Sequence, residues 1–242
     1  VTQPLPPGAF AKALQDKRAA ARRRRLLIWG VAGTVLAAAL IVGYLAFLSP
    51  VFAARQVVVT GTDLLDADDV RAAAAVRLEV PLARQDMAGI AARVQALPAV
   101  REATVSVALP DAVEIAVTER EVAFQRPSGD EVEWIDDEGV VFHRSKKPSK
   151  GVIQVDAPRA DERLLRDIAV VAGALPKGIR KEVKQLSAQG VDQIILSLSD
   201  GRFVAWGDAS ESELKAEVLV ALLTTEARVY DVSAPRTPTT RG

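Results

Sequence analysis

Residues 100–118 read VREATVSVALPDAVEIAVT. From Val100 the apolar period is two: Ala103, Val105, Val107 and Leu109 alternate with Glu102, Thr104, Ser106 and Ala108. Pro110 and Asp111 make a turn, and Val113, Ile115 and Val117 then alternate with Glu114, Ala116 and Thr118. Successive side chains of an extended chain face opposite ways, so this is a β-hairpin with one buried and one wet face. The residues before it read differently. QVVVT at 56–60 is β-branched and ends at Gly61, a strand followed by a turn. Asp66 then opens a helix, with Asp69 at its third position and Leu65 and Val70 placed as a hydrophobic staple. A second helix runs over 86–96, where Met87, Ile90, Ala91, Val94 and Leu97 share one face and Pro98 stops it. The unit is strand, helix, helix, strand, strand. Two helices on one face of a three-stranded sheet bury both apolar faces.

Downstream the texture is mostly β. Residues 122–126 read as a strand. Residues 131–135 and 140–143 flank Asp136-Asp137-Glu138-Gly139, a turn, and KKPSK at 146–150 is a basic loop. A short strand follows at 152–155. A helix over 161–173 buries Leu164, Leu165, Ile168 and Val171, and Pro176 and Gly178 end it. Ile194, Leu196 and Leu198 alternate toward Asp200-Gly201 and continue into 203–206, a strong short-range hairpin pattern. Ser210 to Glu213 (S-E-S-E) reads as a capping box for a helix carrying Leu214, Val218, Ala221 and Leu222. A last β-like run, 228–232, leads into a Pro/Thr-rich tail over 234–242. The expected class is α+β: the βααββ unit, then a β-rich mixed-sheet domain with two helices.

Upstream lies LLIWGVAGTVLAAALIVGYLAFL, residues 26–48, without a charge. At about 1.5 Å per residue it spans roughly 34 Å, enough for a hydrocarbon core of about 30 Å. Trp29 and Tyr44 sit near its two ends, where aromatic side chains favour the interface. Arg22 to Arg25 abut its start, which puts the N-terminus on the cytoplasmic side and the bulk of the chain outside. The rival reading is a signal peptide cleaved near Val51-Phe52-Ala53. Against it, the apolar stretch exceeds the 7–15 residues usual for a signal core. Residues 1–21, with Pro4, Pro6 and Pro7, read as a short irregular basic tail. Residues 1–25 hold seven basic side chains against Asp16, and the chain beyond 48 holds 24 basic against 30 acidic. A basic head, an uncharged stretch and an acidic body form a topology signal, although the net charge is zero.

Composition excludes much chemistry. Cysteine is absent and histidine occurs once, at His143. That removes disulfides, thiolate nucleophiles, Cys-ligated zinc and multi-His metal sites. There is no Gly-rich phosphate loop, G-x-S-x-G or H-E-x-x-H. Asp136, Asp137 and Glu138 lack the spacing of a calcium loop. Glu119-Arg120-Glu121 fits a salt-bridge group better than an acid–base pair, because nothing nearby completes a catalytic set. Lys215 falls in the first turn of its helix, where a cation gains nothing from the dipole; packing or partner contact would explain it. No cofactor, metal or nucleic acid is expected.

The order of basic tail, single anchor, βααββ unit and β-rich unit resembles the FtsQ/DivIB family of bacterial cell division proteins. VVVTG at 57–61 resembles the family's opening strand and glycine, and VREATVSVALP at 100–110 its V..A.V...P segment. VEIAVTEREVA at 113–123 resembles I.V.ER.PVA, with Val122 where proline is usual. WIDDEGVV at 134–141 resembles lvD..G.v, and Asp200-Gly201, Gly207 and Lys215 match dG...lG...K. With 22 arginines against nine lysines and abundant alanine, the composition points to a GC-rich genome such as an actinobacterium's.

The resemblance implies residues 1–25 as cytoplasmic tail, 26–48 as transmembrane helix, 52–121 as a POTRA domain, 122–233 as the β domain and 234–242 as a C-terminal tail. It implies a non-enzymatic divisome scaffold at the septum. Such a scaffold binds the small coiled-coil proteins FtsB (or DivIC) and FtsL and helps localise and regulate the septal peptidoglycan synthases. The implied partner site is the last strand of the β domain, here Arg228, Val229, Tyr230, Asp231, Val232 and Ser233, with Arg236 in the tail that continues the edge. Main-chain bonds would give affinity there, and Tyr230, Arg228 and Arg236 specificity. The competing reading makes 229–232 an internal strand and Tyr230 a core residue. Other classes are a POTRA-type protein handling unfolded polypeptides, which usually carries several such repeats, and a membrane-tethered carboxylate enzyme.

Overall fold

The computed structural model describes residues 9–242. The irregular tail expected over 1–21 lies outside the described residues for 1–8, and from Ala9 the backbone is already helical. Helix α1 (Ala9–Leu48) runs unbroken from the basic segment through the apolar stretch. Ala, Lys, Arg, Leu and Gln dominate its start and are the best helix formers, so the helix extends well before the apolar residues begin. Its part Arg24–Leu48 is long and apolar enough to cross a membrane. The side chains there face outward on all sides: Leu27, Trp29, Leu36 and Leu40 are all more than 60% exposed. An all-round apolar surface of this kind suits a lipid environment.

The chain packs into two compact units. The first gathers the described residues up to Val58 with 75–90 and 105–115. Leu48 ends the long helix; the Ser49 hydroxyl then accepts from the Val51 N–H at 3.2 Å and starts a short 3-10 turn with Pro50 at its first position. Ala54 donates to the Val80 carbonyl at 3.0 Å and accepts from Glu79 at 2.8 Å. The Asp111 carbonyl in the hairpin turn accepts from Arg55 and Gln56 at 2.7 and 3.2 Å.

The expected βααββ order is present: β1 (Gln56–Thr60), α2 (Ala67–Ala74), α3 (Met87–Gln95), β2 (Val100–Ala108) and β3 (Ala112–Glu119). The three strands form one sheet in the order β1-β3-β2. Asp66 caps α2 through the Asp68 N–H at 2.8 Å, and Asp86 caps α3 through the Gly89 N–H at 2.9 Å. Val113, Ile115 and Val117 are buried as their alternation requires. On β2 the alternation holds only at its start. Ala103 is buried, but Val107 and Leu109, expected on the core face, are exposed.

The second unit gathers 59–74, 91–104 and 116–242. Its larger part is a nine-stranded mixed sheet in the order β12-β11-β10-β9-β8-β7-β4-β5-β6. The strands are β4 (Phe124–Ser128), β5 (Glu131–Ile135), β6 (Val141–Ser145), β7 (Ile153–Asp156), β8 (Val183–Ala188), β9 (Ile194–Leu198), β10 (Phe203–Gly207), β11 (Val229–Asp231) and β12 (Thr239–Arg241). Helices α4 (Glu162–Ala174) and α6 (Ser212–Leu222) supply Leu164, Leu165, Ile168, Val171 and Leu219 to its core. They meet Phe124, Ile135, Leu186, Leu196, Val204, Trp206 and Tyr230 from the strands. Asp161 caps α4 through the Leu164 N–H at 2.8 Å.

Two features correct the sequence reading. A third short helix, α5 (Lys177–Glu182), precedes β8, where two helices were expected. The capping box at Ser210 does not form: α6 starts at Ser212, behind Glu211 in a left-handed conformation (φ +47°). The Asp208 carboxylate accepts from both the N–H and the hydroxyl of Ser210, at 3.0 and 2.6 Å, so that side chain turns toward Asp208.

Candidate partner-binding edge

The site begins with β11. It pairs in parallel with β10 (Val204 opposite Tyr230) and antiparallel with β12 (Tyr230 opposite Thr240, Asp231 opposite Thr239). The chain's own tail therefore covers the edge of β11, and the free edge at this end is β12, whose three residues are exposed. This corrects the expected position of the edge by one strand. Thr239 and Thr240 are β-branched, a strand signal, but three residues bounded by Pro238 are too few to show a period.

The sequence-chosen residues separate into two groups. Tyr230 and Val232 are fully buried. The Tyr230 hydroxyl donates to the Thr225 carbonyl at 2.8 Å and accepts from the Arg202 guanidinium at 3.2 Å. Arg202 also lies 5.6 Å from the Tyr230 ring centroid, within cation–π range. The Tyr230 hydroxyl and the Asp200 carboxylate hold the Arg202 guanidinium above its ordinary pKa. Tyr230 is thus a core residue with a satisfied polar tip, and its side chain is not presented to the surface as expected.

Arg228, Ser233 and Arg236 are exposed, while Val229 and Asp231 are half-buried. Arg236 pairs with Glu211 at 3.0 Å. Asp231 accepts from the N–H and hydroxyl of Ser233 at 3.0 and 2.6 Å, turning the chain away after β11. Gly207 permits that turn: its φ is +78°, and a Cβ there would lie 2.9 Å from the Ser233 Cβ.

In α6, Lys215 is almost completely buried. Its ammonium donates to the Asp208 carbonyl at 2.9 Å and to the Asp208 carboxylate at 2.7 Å. The Lys215 ammonium, with Ser210, holds Asp208 below the ordinary carboxylate range. The same turn is tied down by Ser212, which accepts from the Trp206 indole at 3.2 Å and donates to the Ala209 carbonyl at 2.8 Å. Lys215 therefore packs the turn before α6.

The acidic turn is structural too. Asp136 is fully buried and accepts from the Glu138 and Val140 N–H groups at 2.9 and 2.8 Å. Arg120 bridges Asp136 and Glu138, and Arg101 pairs with Asp137 at 2.8 Å. Glu119 accepts from the N–H groups of Asp63, Leu64 and Leu65 at 3.1, 2.8 and 2.8 Å. Sequence reasoning missed Glu133, which is 3% exposed between Arg126 (2.7 Å) and Arg144 (3.0 Å). Burial opposes its ionisation, and the two arginines outweigh that and hold it charged. His143 stacks at a tilt on Trp134, with ring centroids 4.7 Å apart. Among the described residues no cluster of His, Asp or Glu is arranged to hold a metal ion.

Comparison with known proteins bears on the whole chain. Residues 52–120 match the POTRA domain of FtsQ type, and residues 123–233 match the C-terminal region of the cell division protein FtsQ/DivIB. The Cell division protein FtsQ of Streptomyces bingchenggensis (strain BCW-1) is 36% identical over 230 residues, covering 90% of this chain and 86% of that protein. That of Mycolicibacterium smegmatis (strain ATCC 700084 / mc(2)155) is 32% identical over 235 residues, 97% of this chain and 70% of that protein. The solved extracytoplasmic domain of the cell division protein DivIB of Geobacillus stearothermophilus aligns with 41% of this chain and 85% of its own, at 11% identity and a TM-score of 0.34. On the two domain matches and these two relatives, the chain belongs to the FtsQ/DivIB family of cell division proteins.

Proposed function

We propose that the chain is a single-pass scaffold of the septal division machinery, without catalytic activity, that captures a strand of an FtsB- or DivIC-like partner. With FtsL in the same assembly it helps localise and regulate septal peptidoglycan synthesis. Residues 52–121 act as the POTRA domain and 122–233 as the β domain. The arginine run at Arg22 to Arg25 keeps the N-terminus cytoplasmic, by the positive-inside rule. The observation that carries the reading is the free edge of β12 at the end of a nine-stranded sheet, beside the surface arginines Arg228 and Arg236. An unpaired edge offers main-chain donors and acceptors to an incoming strand, and the arginines favour an acidic partner.

The test is amide hydrogen exchange on the full chain in detergent, with and without the FtsB- or DivIC-like protein of the same organism. The expected result is new protection over Thr239–Arg241, with Tyr230 and Val232 unchanged because they are already buried. Protection elsewhere, with none over β12, would overturn this placement of the site. A functional N-terminal fluorescent fusion spread evenly around dividing cells would overturn the septal role itself.

A further inference from the structure

We propose that the tip of the β2–β3 hairpin and the last turns of α1 form a seat for lipid acyl chains, so that the first unit rests in the bilayer rather than above it. The inference rests on the reading of α1 as a membrane anchor and extends it to the folded part of the chain.

The alternation of β2 carries the argument. Ala103, Val105, Val107 and Leu109 lie on one face, yet exposure rises along it. Ala103 is 6% exposed, Val107 44% and Leu109 73%. A hairpin in water would place polar residues where its core ends. This one keeps valine and leucine. They line a cleft of about 450 Å³ with Val42 and Leu45 of α1, Phe52 and Leu82. Every lining side chain is apolar.

The height of the cleft names its occupant. Counted from Leu26, a hydrocarbon core of about 30 Å takes roughly 20 residues at about 1.5 Å each, which ends near Leu45. The walls contributed by α1 thus lie at the hydrocarbon boundary of the leaflet opposite the arginine run, where acyl chains and not bulk water are the neighbouring medium. A second transmembrane helix is the other possible occupant. Close helix contacts favour glycine, alanine and serine, whereas this cleft is walled mainly by valine, leucine and phenylalanine.

The chain has no cysteine, so one introduced cysteine gives a single labelling site. Full chains carrying Leu109→Cys or Val107→Cys are labelled with bimane and reconstituted in phosphatidylcholine–phosphatidylglycerol vesicles without any partner. Spin-labelled lipids, with the nitroxide near the headgroup or near the chain end, serve as quenchers, and iodide reports water. Ala38→Cys marks the middle of the apolar stretch 26–48, and Asp130→Cys marks an exposed turn.

The expected result is loss of fluorescence at both hairpin sites to the shallow lipid quencher, at Ala38 to the deep one, and at Asp130 to iodide alone. Quenching of both hairpin labels by iodide alone, with Ala38 still quenched by lipid, overturns the lipid seat and leaves the anchor standing. An Ala38 label that lipid cannot quench refutes the anchor reading itself. Hairpin labels shielded from both quenchers, and uncovered when the protein is diluted into more lipid, would assign the cleft to a second copy of the chain and overturn the proposal.

Discussion

Glu119→Gln tests how the carboxylate at the end of β3 holds the segment leading into α2. Glu119 receives three backbone N–H groups, from Asp63, Leu64 and Leu65, within 3.1 Å. One oxygen serves Asp63 and Leu65, and the other serves Leu64. Glutamine keeps the first acceptor but sets an NH2 group against the Leu64 N–H, so one bond becomes a donor–donor contact. A hydrogen bond to a charged group is worth about 1.5–3 kcal/mol, and the partial exposure here reduces that, so the expected cost is about 1–2 kcal/mol. With a urea dependence of about 2 kcal/mol per molar, the midpoint should fall by roughly 0.5–1 M. Far-UV circular dichroism of the full chain in detergent reads that midpoint. Faster exchange at the Leu64 and Leu65 amides would localise the effect.

The pH dependence has a definite sign. Burial pushes the Glu119 pKa up, and the three N–H donors outweigh it, so the folded value lies below the ordinary 4.5. A carboxylate depressed on folding contributes its full stabilisation above its unfolded pKa and loses it as pH falls through the folded value. The stability gap between the native chain and its Glu119→Gln variant should therefore be full at pH 7 and close progressively below about pH 4.5. Equal midpoints at pH 7, or a gap that survives undiminished in acid, would refute the reasoning.

Three further outcomes follow from the same geometry. Asp208→Ala strands the buried Lys215 ammonium and should cost about 3 kcal/mol in urea unfolding, whereas Lys215→Met, which removes the charge with its stem retained, should cost clearly less. Tyr230→Phe should lose about 1–2 kcal/mol through its bonds to Thr225 and Arg202, and because the ring is buried it should leave partner affinity unchanged in a pull-down or titration. Gly61→Ala should lower the melting temperature by several degrees or prevent folding: the residue has φ +82°, and a Cβ there would sit 2.1 Å from the Val117 carbonyl oxygen.

What was legible in the sequence is what has a period. The βααββ order, the hairpin at Asp200-Gly201 and the α4 face repeat at two or 3.6 residues, the long helix shows as an uninterrupted uncharged run, and the structure holds them. What was not legible depends on competition or brevity. Ser210 has the spacing of a capping box, but Asp208 lies two residues earlier and takes its hydroxyl. Strand β8, VKQLSA, lacks a run of β-branched residues and is set by its pairing with β7 and β9. An aromatic residue such as Tyr230 in a short strand reads equally as anchor or core; burial decided it, the ring belonging to the core cluster that includes Trp206 and Leu219.

The two ends of the nine-stranded sheet differ in how far they invite another chain. The far edge is β6, which carries His143 and Arg144. Arg144 reaches back to Glu133, a bulge interrupts the β5–β6 register at Trp134 and Ile135, and Lys146 and Lys147 follow directly. Charges, a bulge and flanking lysines are the devices that blunt an edge against strand addition. At the other end β12 has two threonines and one arginine and no bulge in its register with β11. It is three residues long, so a partner gains few main-chain bonds from it. If the edge captures a partner as proposed, lasting capture must then draw on side chains beyond it, and the basic ones beside it are Arg228 and Arg236. Arg236 is already engaged with Glu211, so an acidic partner residue has to compete for it, while Arg228 lies beside Val229 at the start of β11. On these grounds Arg228 should contribute more to partner selection than Arg236, and the strand itself should supply position more than affinity.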